Sequence, residues 1–282
     1  MSESTQLIAP PDVVHIERFS AQAQSLGALQ PIETEQAWLE DAGLPFLVKW
    51  LSTLAAKPRP TKPGRQGMHN PFAEPEPALT LGELAPHHRL ILNKYPVMTG
   101  HLLIVTRDFK SQDCPLEAGD FQALAPLIAA NGGLGFYNGG TIAGASQRHK
   151  HLQWIPQLPP IATRRATLPP ELASQLDFRQ AWTPLPAGWT HTAEAGEVLA
   201  QCYRRLMAEA DAWVDDGAPA PYNLLLTREW MWVVPRRAEC WRQMSINALG
   251  FAGSLFVKTP TGFAELAEAG ALNALRAVTW PA

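Results

Sequence analysis

The stretch 146–156 constrains the fold and the chemistry of this chain more than any other segment. It reads Ser-Gln-Arg-His-Lys-His-Leu-Gln-Trp-Ile-Pro, and a β-strand would send its alternate side chains to opposite faces of a sheet. His149, His151 and Gln153 then share one face. Because two imidazoles and an amide in one row are unusual for packing, we expect this strand to carry chemistry.

Imidazole is suited to attack phosphorus, because its ordinary pKa of about 6.5 leaves it largely neutral at pH 7. A second group must hold the other ring nitrogen, so that the attacking nitrogen faces the substrate. Spacing alone does not decide whether His149 or His151 would attack. Gln153 offers an amide N–H and a carbonyl to phosphoryl oxygens and donors. A purely structural role and a metal pair remain alternatives, although no Cys-x-x-Cys is present to complete a structural zinc site.

A glycine-rich stretch, residues 131–145, precedes this strand and contains six glycines. It predicts a loop whose backbone N–H groups approach an anion closely and form a phosphate nest. The pattern is neither a P-loop nor a dinucleotide-binding fingerprint. An ordinary flexible turn is the alternative, but a glycine-rich loop leading directly into His-x-His-x-Gln is more specific than either feature alone.

Composition limits the classes of function. The chain has 282 residues, which allows one large or two small domains, and its net charge of −3 disfavours a basic nucleic-acid-binding surface. Any phosphate site must therefore be a local cluster. Three cysteines without metal spacing favour a reducing compartment. We find neither a signal-peptide pattern nor an apolar run of about 18 residues, so we expect a cytoplasmic protein without a membrane partner.

Hydrophobic periodicity predicts the main elements. The predicted helices span 13–29, 116–130, 193–214 and 265–278, and Pro126 should kink or split the second of them. The predicted strands include 44–51, a hairpin over 88–106, and a second hairpin formed by 222–226 and 231–234.

The prolines divide the predicted chain into two halves. We expect a catalytic half over 1–160, a proline-rich connection over 161–188 and a C-terminal half over 189–282. The C-terminal half echoes the hairpin and helix of the first without its His-x-His. This pattern suggests a degenerate second copy of one unit.

Several motifs resemble a known family. The run His149–Gln153 is similar to the histidine-triad signature in its transferase form, which has glutamine at the third position. Together with Asn138-Gly139-Gly140 and the preceding Ala145–Arg148, it resembles the diadenosine tetraphosphate (Ap4A) phosphorylases, also called ATP adenylyltransferases. The further matching motifs are Asn93–Val97, Gly100–Thr106, Tyr222–Thr227, Trp230-Met231 and Pro235-Arg236. The resemblance covers most of residues 45–258.

The resemblance implies an α+β fold, with a histidine-triad-like antiparallel sheet flanked by helices and a degenerate second half. It also implies that Ap4A and phosphate give ATP and ADP. His151 would attack the α-phosphorus and expel ATP, and phosphate would then take the adenylyl group from His151. His149 would support the site, and Gln153 would hold phosphoryl oxygens. The substrate-binding residues implied are Lys49, Asn93, Asn138, Gly139, Gly140, Ser146, Gln147 and Arg236.

The expected partners are a dinucleoside polyphosphate and inorganic phosphate, and a monomer is favoured. No tightly bound cofactor or protein-bound metal is expected; a divalent cation such as Mg²⁺ would enter with the polyphosphate. The basic residues Lys57, Lys62 and Arg65 lie in a solvated linker or in a mobile loop that closes over polyphosphate. Three other functions stay open: a hydrolase of the same superfamily, a non-catalytic nucleotide sensor, and a metal enzyme whose His-x-His is completed by His87-His88 or His101.

Overall fold

The computed structural model describes residues 7–52, 70–214 and 217–282. Lys57, Lys62 and Arg65 lie outside the described residues. The strands are β1 (Thr34–Asp41), β2 (Leu44–Leu51), β3 (Thr80–Leu84), β4 (His88–Leu92), β5 (Leu102–Thr106), β6 (Leu134–Gly139), β7 (His151–Ile155), β8 (Ala181–Pro184), β9 (Tyr222–Leu226), β10 (Trp230–Pro235), β11 (Cys240–Trp241), β12 (Met244–Ser245) and β13 (Ser254–Val257). The α-helices are α1 (Val13–Ser25), α2 (Ala118–Asn131), α3 (Pro160–Arg164), α4 (Pro170–Ala173), α5 (Ala195–Glu209), α6 (Ala248–Phe251), α7 (Pro260–Ala269) and α8 (Ala271–Ala277).

An eight-stranded sheet forms the centre of the molecule, in the order β3-β4-β5-β7-β6-β9-β10-β8. Every neighbouring pair in it is antiparallel. A three-stranded sheet, β1-β2-β13, lies beside it, and β13 runs parallel to β2. The predicted α+β class, an antiparallel sheet flanked by helices, is confirmed. Among the described residues no helix is both long and apolar enough to cross a bilayer.

The second half of the sheet repeats the first. A strand, a helix and a hairpin follow one another as β5, α2, β6 and β7, and again as β8, α5, β9 and β10. In the sheet the two units meet at β6 and β9 and run outward in the same order, while α2 packs against α5. The repeat fits the suggested degenerate copy. The segment 161–188, predicted as a connection, contains α3, α4 and β8, and the proposed division into halves stays a prediction.

The two faces of β7 have different surroundings. Leu152 and Trp154 pack into the core that includes α2 and α5. His151, Gln153 and Ile155 alternate with them and therefore project to the opposite face. On that face Ile155 joins a second core, which also contains the buried side of β2. The alternation thus places the predicted catalytic side chains away from α2.

The predicted glycine-rich loop is wrong over 134–139, because these residues form β6 in the middle of the sheet. Its glycines serve close packing. A Cβ on Gly135 would come within 2.8 Å of Leu124 in α2, and one on Gly139 within 2.7 Å of the Tyr222 ring. Sterically demanding contacts of this kind require glycine without requiring a flexible loop.

Other element boundaries also differ from the prediction. The strand predicted over 146–156 begins only at His151, so His149 lies outside it. Helix α2 continues past Pro126 to Asn131 and is not split. The final predicted helix is two helices, α7 and α8, separated at Gly270, whose positive φ of 87° ends α7.

Candidate active site

A cavity of about 540 Å³ opens on the face of the large sheet opposite α2. Its volume is in the range usual for small-molecule sites. Apolar side chains on its walls include Phe72, Leu79, Ile91 and Leu103. The polar residues that line it include Asn93, His101, Asn138, Ser146, Gln147, His151, Gln153 and Asn247. The cavity therefore combines an apolar surface with converging hydrogen-bonding groups.

The His151 ring is held in one tautomer by the backbone. Its Nδ1 lies 2.8 Å from the carbonyl oxygen of His149. Because a carbonyl only accepts, Nδ1 carries the proton, and Nε2 keeps its lone pair on the other side of the ring. Burial lowers the pKa of His151 from 6.5 to about 4. The ring is therefore neutral at pH 7, and Nε2 is available as a nucleophile.

His149 lies behind the cavity and does not line it. Its Nε2 lies 2.8 Å from the carbonyl oxygen of Thr106 and donates to it, while Nδ1 accepts from the Asn70 amide at 2.9 Å. The Asn70 carbonyl in turn accepts from the backbone N–H of Phe72. With both ring nitrogens occupied, His149 acts on the site through its main-chain carbonyl, which holds His151.

A relay of hydrogen bonds fixes the amide of Gln153. The backbone N–H of Tyr95 donates to Asn93 Oδ1 at 3.2 Å, so the Asn93 amide nitrogen faces His101 Nδ1, 3.1 Å away. His101 Nε2 then carries the proton and donates to Gln153 Oε1 at 2.9 Å. Burial lowers the pKa of His101 to about 4, which keeps this ring neutral. Since a backbone N–H only donates, the relay has one direction, and it leaves the Gln153 NH2 group for a ligand.

A similar arrangement orients Asn138 at the end of β6. Its Oδ1 accepts from Asn223 Nδ2 at 2.8 Å and from the Ala248 N–H at 2.9 Å. Asn138 lines the cavity and is 1% exposed. Its carbonyl is fully used, so the side chain presents its NH2 group as a donor.

Arg236 does not line the cavity, and the predicted direct contact with substrate does not fit this position. The guanidinium is 1% exposed and donates to Asn223 Oδ1 at 2.6 Å and to the Ile246 carbonyl at 2.7 Å. Further backbone carbonyls, those of Val278 and Ala238, accept from its other N–H groups. Burial lowers the pKa of Arg236 to about 9. Its connection to the cavity is indirect, through Asn223 and Asn138.

The predicted phosphate nest does not fit the positions of Gly139 and Gly140. Gly139 and Gly140 do not line the cavity, and a Cβ on Gly140 would overlap the Asp113 carboxylate. Gly144, with a φ of 88°, lines it together with Ser146 and Gln147. Within the part of the chain that the structure describes, the side chains of Ser146 and Gln147 have no hydrogen-bond partner, so both can turn to a ligand.

Lys49 lies on β2 next to the cavity without lining it. Its Nζ donates to the Val97 carbonyl at 3.0 Å, and Val97 does line the cavity. Burial lowers the pKa of Lys49. The ammonium therefore stands at the edge of the site.

Two supporting groups have no signal in the sequence. Gln112 Oε1 accepts from the backbone N–H of His151 at 2.8 Å, and its Nε2 donates to the backbone carbonyl of Asn138 at 2.8 Å. The Gln112 side chain thus bridges β6 and β7 where they diverge. On the other face of the sheet, the fully buried Lys150 donates to Asp120 Oδ2 at 2.6 Å. These contacts anchor both sides of the chain at His151.

Within the described ranges, no group of three or more histidine, cysteine, aspartate or glutamate side chains is placed to hold a metal ion. His88 is paired with Asp120, and His101 is engaged by Asn93 and Gln153. The His-x-His pair is therefore not completed by these rings into a ligand set.

Two family models match consecutive parts of the chain. The Ap4A phosphorylase N-terminal domain matches residues 5–175, and the ATP adenylyltransferase C-terminal domain matches residues 174–281. The chain belongs to the Ap4A phosphorylase family.

Relatives within the Ap4A phosphorylase family include two proteins of Saccharomyces cerevisiae. Diadenosine 5',5'''-P1,P4-tetraphosphate phosphorylase 2 is 29% identical, over 87% of this chain and 83% of that protein. Protein APA1 is 28% identical, over 86% and 85%. The solved structure of yeast Ap4A phosphorylase Apa2 in complex with Ap4A is 27% identical, with a TM-score of 0.77 over 94% of this chain and 96% of that one. The complex of Apa2 with AMP gives a TM-score of 0.76 at 25% identity.

The buried imidazoles predict a loss of stability in mild acid. The unfolded chain protonates both rings near pH 6.5, whereas folded His101 and His151 take up protons only near pH 4. Between these values the unfolded state binds more protons, so the free energy of unfolding falls as the pH falls, by up to about 1.4 kcal/mol per pH unit for each ring. Urea unfolding between pH 7.5 and 4.5 measures this slope.

In His101→Gln, the free energy of unfolding should depend less steeply on pH, by the contribution of about one proton. The exposed His191→Gln should leave this pH dependence unchanged. Equal slopes in the wild type and in His101→Gln would contradict the assignment of a neutral, buried His101.

Proposed function

We propose that this chain phosphorolyses Ap4A to ATP and ADP through an adenylate carried on His151 Nε2. The observation that supports this most directly is the state of the ring. Its Nδ1 donates to the His149 carbonyl, and its pKa of about 4 leaves Nε2 with a free lone pair beside the cavity at neutral pH.

The proposed reaction has two balanced displacements at the α-phosphorus. In the first, the Nε2 lone pair of His151 forms a P–N bond while the bond to the bridging oxygen breaks, and ATP leaves with that electron pair. In the second, a phosphate oxygen forms a bond to the same phosphorus, the P–N bond breaks, and ADP is released. The histidine is regenerated in its original tautomer.

Donors are needed where charge develops on the transferring group. The NH2 groups of Gln153 and Asn138 are oriented for this by their own hydrogen-bond partners, and Ser146 with Gln147 supplies adjacent side chains. An adenine ring finds apolar contacts on the cavity wall at Phe72, Ile91 and Leu103, which form one small buried cluster with Val105. Phe72 also contacts the His151 ring, with 5.1 Å between centroids.

From the sequence we also propose that His149–Gln153 functions as a histidine-triad motif and that inorganic phosphate is the second substrate. The reaction then takes place in the cytoplasm. The protein holds no resident metal, and Mg²⁺ accompanies the polyphosphate. Free Cys114, Cys202 and Cys240 are compatible with a reducing compartment.

Product analysis by chromatography tests the proposal. With Ap4A and phosphate, we expect ATP and ADP in equal amounts, because each turnover makes one of each. Without phosphate, AMP should form only slowly, and denatured protein should retain adenylate in an acid-labile bond. The control His191→Ala should behave like the wild type, since His191 is exposed and does not line the cavity.

Rapid release of AMP whether or not phosphate is present would contradict the proposal and favour a hydrolase. Binding of Ap4A without any turnover or covalent adenylate would instead identify a nucleotide sensor.

A further inference from the structure

A second cavity of about 440 Å³ lies on the open face of the three-stranded sheet. Trp38 of β1, with Leu47 and Lys49 of β2, faces it. The alternate residues Phe46 and Val48 face the core instead. The opposite wall is the segment 157–164, which includes α3. We refer to this space as the Trp38 cavity.

The walls of the Trp38 cavity match an aromatic base joined to an anion. The Trp38 side chain is 67% exposed, so its ring is available to stack on a flat ligand. Lys49 and Arg164 supply two cations, and the described residues that line the cavity include no carboxylate. This local positive charge contrasts with a chain whose net charge is −3.

The Trp38 cavity and the cavity at His151 are neighbours. A narrow space between them shares Lys49 and Ser254 with the Trp38 cavity, and Val97, Asn247 and Leu249 with the His151 cavity. Lys49 lies at the junction, where its Nζ donates to the Val97 carbonyl at 3.0 Å. The two cavities therefore lie side by side, with Lys49 between them.

We propose that the Trp38 cavity binds the nucleoside of the departing ATP, with its base against Trp38 and its phosphates beside Lys49 and Arg164. This inference rests on the proposed phosphorolysis. When the α-phosphorus of one adenosine lies at His151 Nε2, the second adenosine is separated from it by the whole polyphosphate chain. The cavity at His151 holds the adenylyl part, and the remainder passes Lys49 to reach the exposed Trp38.

The covalent adenylyl-enzyme allows a direct test, because the adenylate already occupies the cavity at His151. The enzyme is loaded from Ap4A without phosphate, separated from ATP, and mixed with one of three acceptors. A γ-phosphate oxygen of ATP attacks the α-phosphorus, breaks the P–N bond and gives Ap4A. Phosphate gives ADP in the same way, and inorganic triphosphate gives adenosine tetraphosphate. Among these acceptors only ATP carries a base.

In Trp38→Ala, we expect the half-saturating concentration of ATP to rise about tenfold, because base stacking is lost. The values for phosphate and triphosphate should stay within twofold of the wild type. The KM for Ap4A should rise by a similar factor, with kcat little changed. Trp38→Phe should restore most of the ATP affinity. The matched control is Trp280→Ala, since Trp280 is 43% exposed and lines neither cavity; it should change none of these values.

Lys49→Met adds an independent measurement, because the proposal places Lys49 against phosphates. It should weaken ATP and triphosphate together, whereas Trp38→Ala weakens ATP alone.

The outcomes separate the two proposals. If no adenylyl-enzyme forms, phosphorolysis itself fails, and the subsite fails with it. If the adenylyl-enzyme forms but Trp38→Ala affects all three acceptors equally, or none of them, phosphorolysis stands and the Trp38 subsite is overturned.

Discussion

Replacing His151 by alanine is expected to lower kcat/KM for Ap4A by a factor on the order of 10⁴ or more, because it removes the attacking atom itself. The fold should persist. The ring contributes one hydrogen bond, from Nδ1 to the His149 carbonyl, contacts the Phe72 ring, and borders a cavity. Steady-state kinetics measure the loss, and circular dichroism with thermal unfolding confirms that the variant is folded.

Locating the covalent adenylate distinguishes His151 from His149 as the nucleophile. His149 uses both ring nitrogens, towards Thr106 and Asn70, so the adenylate should appear on His151 alone when the loaded enzyme is digested and its peptides are analysed by mass spectrometry. The exposed His15→Ala is a suitable control, with normal turnover and normal labelling. Near-normal activity of His151→Ala, or adenylate found on His149, would overturn the assignment.

The sequence was most informative where one element is periodic along its own length. The hairpin of β4 and β5 and that of β9 and β10 were both predicted, because strand composition and turn residues are local signals. The alternation around His151 and Gln153 also correctly separated the core side from the cavity side of β7.

The role of a glycine is hard to predict where it depends on neighbours far away in the sequence. The stretch 131–145 was predicted as a loop, yet Gly135 and Gly139 lie in a central strand, where α2 and Tyr222 leave no space for a Cβ. A glycine-rich composition is the same in a flexible loop and in a closely packed strand, and only the packing partner distinguishes the two structures. Similarly, Arg236 was predicted to contact substrate, but it hydrogen-bonds Asn223 and backbone carbonyls.

The orienting relays could not be predicted, because they join residues far apart in the chain. Asn70 is separated by 79 positions from His149, and His101 by 52 from Gln153. One weak signal was present. Asn70 and Asn93 both occur in turns with a nearby proline, and each binds the backbone N–H two residues ahead. That turn leaves the asparagine NH2 pointing at an imidazole.

The relay that ends at Gln153 predicts a second large effect. Because His101 Nε2–H donates to Oε1, the Gln153 group presented to the ligand is NH2. Gln153→Glu keeps the size and the acceptor for His101 but replaces that donor by a carboxylate oxygen, which repels phosphoryl oxygens. We expect kcat/KM for Ap4A to fall at least ~10²-fold, the typical cost of losing one such donor. Gln24→Glu, which adds the same charge on the exposed surface of α1, should have no effect.

Gln153→His tests why the adenylate would wait for phosphate. An amide does not exchange a proton near neutral pH, so Gln153 binds the transferring group without giving acid–base help to water, whereas imidazole can give that help. Inorganic phosphate is already a charged nucleophile and needs less help. The histidine variant should therefore release AMP from the adenylyl-enzyme faster than the wild type when phosphate is absent, while ADP formation with phosphate gains nothing. If AMP release is as slow as in the wild type, the amide at position 153 is not what protects the intermediate from water.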